Sequence, residues 1–268
     1  MLEPEGKVTV LGRSSRRRRL RNQPTDPSWR EFLMSVPLYR RLPPHDQREV
    51  EAHSRVLLDE KAFEAAAGFE IREPMPLLVV AQAAILLLHR QTAYYPKLAS
   101  IILYPANFFV STSRVDPAGF VTELREVRSG ESWMHGAIVL SWDEVELGLR
   151  PGSLRNVVLH EFVHQLDAQT GDMDGTPPLA SAAARTQWAA AMRDARRCVE
   201  RDACVSGGVP IDRYGLRSPA EMFAVATEAF FLNPHAVQQS IPSLYRVLAQ
   251  YYEQDPITWL TRDSSATA

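Results

Sequence analysis

His160 and His164 stand four residues apart in His160-Glu161-Phe162-Val163-His164. On a helix that spacing projects both imidazoles from one face, where they can share a metal ion. Glu161 lies beside the same face, in reach of a water held by the ion. Two imidazoles, a carboxylate base and an open coordination position are the parts of a zinc hydrolase. The pattern alone proves little, because a chain of this composition shows it by chance in roughly 1 case in 80. Its surroundings carry more weight. Val157, Val158, Leu159, Phe162, Val163 and Leu166 flank the motif, so the helix is apolar almost all round and belongs in a core. Buried His and Glu need partners, and a cation supplies one.

The sequence also marks the ends of this helix. Pro151-Gly152-Ser153 supplies a breaker and an N-cap, and Gly171 suits a stop. Asp167 follows His164 by one turn, where it can hold a ligating imidazole by its other nitrogen. Pairing with an arginine, or capping the next loop, would explain Asp167 equally simply. A catalytic zinc site needs a third protein ligand. His135 and His235 lack a supporting motif. Ser218-Pro219-Ala220-Glu221 and the apolar run to Phe231 are more informative, since Glu221 and Glu228 share one face of that helix. Ser218, Pro219 and Glu221 also form a capping box, which needs no metal. Glu228 has no such explanation and suits either a ligand or an outer partner. On residue chemistry alone both glutamates remain open.

HEFVHQLD followed by a glycine, then SPAEMFAVATEAFF, resembles the Mlc titration factor A family of bacterial zinc metallopeptidases. Arg125 to Trp133, Ile138 to Trp142 and Tyr251 to Pro256 carry further likeness, which spans roughly residues 28 to 258. The resemblance implies one Zn2+ per chain on His160, His164 and Glu221, with Glu161 as general base. It implies that Tyr214 stabilises the oxyanion; with Glu221 as the ligand, Glu228 and Asp167 are left as candidate outer supports. It implies a peptidase, aminopeptidase included, and also binding to a transcriptional repressor that controls sugar uptake. An interaction protein with subordinate zinc chemistry is therefore a second reading. Fe2+ also accepts two imidazoles and a carboxylate, but the oxygenase pattern has a different spacing.

The remaining composition is that of an ordinary globular chain of 268 residues, 45% hydrophobic and 23% charged. Cys198 and Cys204 are too few for a disulfide scaffold and fit a reduced cytoplasm, with one local bridge left open. The apolar run Met75 to Leu88 is too short to span a bilayer, and no apolar segment follows the N-terminal arginines as in a secretory signal. The expected location is the cytoplasm, with no membrane partner. Residues 1–30 hold eight Lys/Arg against three Asp/Glu, while the rest holds 22 against 29. No aromatic residue interleaves these arginines, so nucleic acid is not an expected partner. Residues 1–27 read as a disordered basic tail, 28–258 as the catalytic domain and 259–268 as a flexible tail.

The elements must then position the motif. Helices are expected at about 28–35, 38–42, 44–61 and 75–92, then at the motif, 180–202, after Ser218, 235–240 and 242–254. Strands are expected at Ile101 to Tyr104, Phe120 to Val127 and Gly136 to Trp142. This order suits an α+β, zincin-like fold, mostly helical, with a small mixed sheet beside the HExxH helix. Gly136, Ala137, Ile138 and Val139 are expected to form an edge strand that pairs with extended substrate.

Overall fold

The computed structural model describes residues 6–115, 121–128, 130–133, 136–201 and 210–263. Four helices come first: α1 (Gly6–Arg21), α2 (Pro27–Leu33), α3 (Pro37–Arg41) and α4 (Pro44–Glu60). Strand β1 (Ala62–Ala65), helix α5 (Met75–Ile85) and strand β2 (Ser100–Tyr104) follow. Next come β3 (Phe108–Val115), β4 (Val121–Arg128), β5 (Gly130–Trp133) and β6 (Ala137–Ser141). Helices α6 (Trp142–Gly148), α7 (Val157–Asp167) and α8 (Ala182–Arg201) lead to α9 (Pro219–Leu232). The chain closes with α10 (Pro234–Ser240), α11 (Pro242–Tyr252) and α12 (Pro256–Asp263). The class is α+β, as expected.

One sheet has the order β1-β2-β6-β5, and β3 with β4 forms a separate antiparallel pair. Strands β1, β2 and β6 run parallel, and β5 joins β6 antiparallel, so the main sheet is mixed. Ile101 and Leu103 of β2 and Ile138, Val139 and Leu140 of β6 are all buried, as parallel strands require when both faces are covered. Strand β6 is not an edge, contrary to expectation. Ser100 pairs with Ala137 and Ile102 with Val139 on one side, while Glu131 pairs with Val139 on the other. Gly136 precedes the strand at φ 91°, and its carbonyl accepts hydrogen bonds from Ala99 and Ser100. With both sides of β6 occupied, the edges of this sheet among the described residues are β1 and β5, and β5 is the one packed on α7.

Helices α5, α7 and α9 pack in sequence against one another, and α7 also touches β5 and β6. Val158, Leu159, Phe162 and Val163 of α7 are fully buried. Each such side chain contributes roughly 1.5–3 kcal/mol by leaving water, which fixes the helix that carries the motif. Its N-cap is Asn156 rather than Ser153, with Asn156 Oδ1 accepting the Leu159 N–H at 3.0 Å. Beyond Asp167 a 3-10 turn (Ala168–Thr170) continues to Gly171 at φ 110°. The core helix expected over 75–92 stops at Ile85, and Leu86, Leu87 and Leu88 stay buried in the turn that follows.

Both expected tails are partly structured. Arg17 donates to Glu60 through Nε (2.6 Å) and Nη2 (2.8 Å), and Arg13 Nη2 reaches the same carboxylate at 3.0 Å. Arg16 pairs with Asp59 at 2.5 Å, and the Arg17 guanidinium lies 4.8 Å above the Tyr94 ring. Arg13, Arg16 and Arg17 thus form one face of α1, matched to the acidic end of α4, and residues 6–21 are a helix rather than a disordered basic tail. At the other end α12 continues to Asp263, with Trp259 buried and stacked on Phe231 at 5.9 Å, so 259–263 do not form a flexible tail. Cys198 is disulfide-bonded, the outcome that the sequence left open, and Cys204 lies outside the described residues. No helix among the described residues is long and apolar enough to cross a membrane.

Candidate metal centre and cleft

Helices α7 and α9 bring the ligands predicted from the sequence together. His160 Nε2 lies 2.9 Å from Glu221 Oε2, and His164 Nε2 lies 3.6 Å from the same oxygen. Ligand atoms of these three residues all fall within 4.8 Å of one another. Ser218 Oγ accepts the Glu221 N–H at 3.1 Å, so half of the capping box forms. The Glu221 carboxylate turns to the imidazoles instead of completing it. The cap explains where α9 starts, and the imidazoles explain where the side chain goes.

Glu228 is the outer partner. Its Oε1 accepts from His160 Nδ1 at 2.8 Å, and its Oε2 accepts the Asn156 N–H at 2.5 Å. Asn156 Nδ2 donates to Gln82 Oε1 at 2.7 Å, and Gln82 Nε2 donates to the Leu78 carbonyl at 2.9 Å. This buried chain runs from α5 through the cap of α7 to α9. Asn156 and Gln82 were not foreseen as supports. The signal for Gln82 is one amide alone in the apolar run Met75 to Leu88, since a buried amide must find partners.

Hydrogen-bond accounting shows that the donor set fits a cation. A carboxylate only accepts, so His160 Nδ1 carries the proton given to Glu228. In the neutral ring, Nε2 is then a lone pair facing another acceptor, Glu221. Something positive belongs between them. Burial works to lower the His160 pKa, but hydrogen bonds to Glu221 and Glu228 push it well above the usual value. Burial likewise favours neutral Glu221, yet the two imidazoles hold it well below the ordinary carboxylate range. Glu161 moves the other way: burial raises its pKa, against the pull of His160 and His164. Two imidazoles and a carboxylate form a donor set suited to Zn2+.

Asp167 meets its expected neighbour less directly. Its Oδ2 accepts the Gly175 N–H at 2.8 Å, anchoring the loop after the metal helix. Asp167 Oδ1 and His164 Nδ1 are both buried without a hydrogen-bond partner. Burial lifts the Asp167 carboxyl to about 6, and the charge of His164 opposes that rise.

A cleft of about 680 Å³ opens at the site, lined among others by Gly130, His160, Glu161, Tyr214, Arg217 and Glu228. Tyr214 sits in a 3-10 turn (Arg213–Leu216), its ring 5.9 Å from that of His160. The turn packs closely because residue 215 is glycine: a Cβ there would come within 2.6 Å of Val225 Cγ2. Gly130 at the start of β5 is a second glycine set by close approach. A Cβ there would lie 2.5 Å from Glu161 Oε1 and 2.8 Å from Val157 Cγ2. Of the histidines without a motif, His235 is exposed on α10, and His135 lies outside the described residues.

The model of the glucose-regulated metallo-peptidase M90 family matches residues 12–253, and the chain belongs to that family. An uncharacterized protein of Synechocystis sp. is 34% identical over 248 residues, covering 90% of this chain and 89% of its own. Mlc titration factor A of Escherichia coli O7:K1 is 30% identical over 85% of this chain and 86% of its own. Mlc titration factor A of Shigella flexneri serotype 5b, at 29%, covers the same shares. The family assignment makes the chain a metallopeptidase, hence a hydrolase, and agrees with the resemblance read from its motifs.

Proposed function

We propose that the chain is a zincin-like, zinc-dependent peptidase holding one catalytic Zn2+ on His160, His164 and Glu221. The convergence of these three residues beside Glu161 in an open cleft carries the reading. When bound, the ion supplies Lewis acidity, which acidifies a water and polarises a carbonyl. Glu161 takes the proton from the attacking water on its carboxylate and returns it to the leaving amine. The Tyr214 hydroxyl donates to the developing oxyanion, and Arg217 Nη1, 3.5 Å from that hydroxyl, favours the donation by its charge. Glu228 fixes the tautomer of His160, and Asp167 anchors the loop that follows the metal helix at Gly175. Extended substrate pairs with β5, whose first residue touches Glu161, rather than with β6.

The test is metal analysis with a peptide-library digest of the parent and Glu161→Gln. The parent should cleave, and the variant should keep its zinc and lose turnover. Cleavage at the parental rate by Glu161→Gln would remove the base assignment. Peptides with free and blocked N-termini distinguish aminopeptidase from internal cleavage.

The relatives named Mlc titration factor A support a second reading, a regulatory protein that acts by binding a partner; the resemblance implies a transcriptional repressor of sugar uptake as that partner. The two separate cleanly in cells. A Glu161→Gln protein that still performs the cellular role would be acting by binding, whereas loss of that role would tie it to hydrolysis.

A further inference from the structure

Far from the motif in sequence, a second group of ligating side chains converges. His45 and Asp46 open α4, and His89 ends the turn after α5. Asp46 Oδ1 lies 3.0 Å from His45 Nε2 and 2.7 Å from His89 Nε2. Ligand atoms of the three fall within 4.8 Å of one another. Asp46 is buried, while the His45 side chain is 66% exposed and that of His89 33%.

The hydrogen bond on the far side of His89 orients its ring. His89 Nδ1 lies 2.9 Å from the Glu253 carbonyl oxygen, which can only accept, so Nδ1 carries the proton. Nε2 of the neutral ring is then a lone pair aimed at a carboxylate oxygen. The same oxygen faces a second imidazole. A proton on His89, with His45 as its neutral Nε2–H tautomer, would satisfy the contacts with a single charge, and the two rings stack with centroids 6.4 Å apart. One divalent ion satisfies all three groups together.

The surroundings also have the form of a ligand support. A ligating imidazole commonly gives its other N–H to a backbone carbonyl, which fixes tautomer and orientation. Here both partners of that hydrogen bond hold left-handed backbone, φ 62° at His89 and φ 54° at Glu253. Neither is glycine, and strained backbone of this kind gathers at ligand clamps. We propose that His45, Asp46 and His89 form a second divalent transition-metal site that clamps the start of α4, the exit of α5 and the end of α11. Two imidazoles and one carboxylate suit Zn2+, and the exposed side leaves room for solvent.

Equilibrium dialysis of the tag-free full chain against Zn2+ tests this. The parent should bind two equivalents, and His45→Ala, His89→Ala and His160→Ala/His164→Ala one each. His45 is mostly solvent-exposed, so its variant keeps the fold even where His89→Ala fails. It should weaken the second equivalent by at least about tenfold, a floor taken from the loss of a supporting partner alone. Zn2+ should also raise the melting temperature of the parent beyond that of His45→Ala. One equivalent in the parent with no change in His45→Ala overturns the second site. One equivalent that persists in His160→Ala/His164→Ala but vanishes in His45→Ala instead overturns the catalytic assignment and keeps this one.

Discussion

Two clusters in this molecule have the same ligand chemistry and opposite settings. His160, His164 and Glu221 sit on two core helices, with His160 lining a cleft. His45, Asp46 and His89 sit at helix ends, with one imidazole largely in water. In the first, the outer hydrogen bond of the histidine goes to a side chain, Glu228, itself tied to Asn156. In the second it goes to a backbone carbonyl. The difference teaches what makes a cation site reactive. Ligands alone give binding. Reaction also needs a base beside the ion and room for substrate, and at the first cluster Glu161 and the cleft are placed to supply these.

The comparison breaks most readily at Glu161. Glu161→Gln should lower kcat/KM by about 10²–10⁴-fold, the usual worth of a positioned base. His45→Ala should leave it unchanged; an equal fall would show that the clusters are not independent. Gly130→Ala comes next. The added methyl must displace Glu161 or β5, and a base misplaced by about 1 Å can cost about 10²-fold in turnover. A Gly130→Ala enzyme with parental kcat would show that the contact yields without moving the base. Glu228→Gln should weaken zinc binding in the cleft by about 10–100-fold while the second equivalent binds as before. Zinc titration of that variant reads both sites at once, and equal weakening at both would deny that Glu228 acts locally.

The first cluster was legible in the sequence because its parts are local or periodic. HExxH encodes a face, and the apolar residues around it encode burial. Glu221 against Glu228 was not decidable from periodicity, since both occupy the same stripe; the relative rotation of α7 and α9 gives Glu221 the Nε2 side and Glu228 the Nδ1 side. The second cluster was not legible, because His45 and His89 meet through tertiary packing and a left-handed backbone that no residue type announces. Strand β6 was expected over Gly136 to Trp142 and misjudged as an edge. Pairing partners are a property of the sheet, and the short β5 that covers β6 begins with a glycine and carries little strand signal of its own. The arginine run failed differently. Its charge was read as solvated, whereas Asp59 and Glu60, more than forty residues later, complement it.

That complementarity gives the smallest expected effect. Burial alone would raise the Glu60 carboxyl, but hydrogen bonds from Arg17 and Arg13 prevail and hold it at about 2, below its ordinary 4.5. A carboxyl depressed on folding stabilises the fold above its unfolded pKa and loses that contribution as pH falls. The hold on α1 should therefore be complete above about pH 4.5 and fade toward pH 2. Arg13 and Arg16 are more than half exposed, so solvent screens the pairs and their worth is at most about 1 kcal/mol each. Hydrogen exchange of amides 12–21 should quicken in Glu60→Gln at neutral pH, and in the parent at high salt. Zinc bound at α7 and α9 should be unaffected, because no contact of α1 in this network involves those helices. Unchanged exchange in Glu60→Gln would mean that apolar contacts of α1, with Leu20 against the core, hold the helix without its charges.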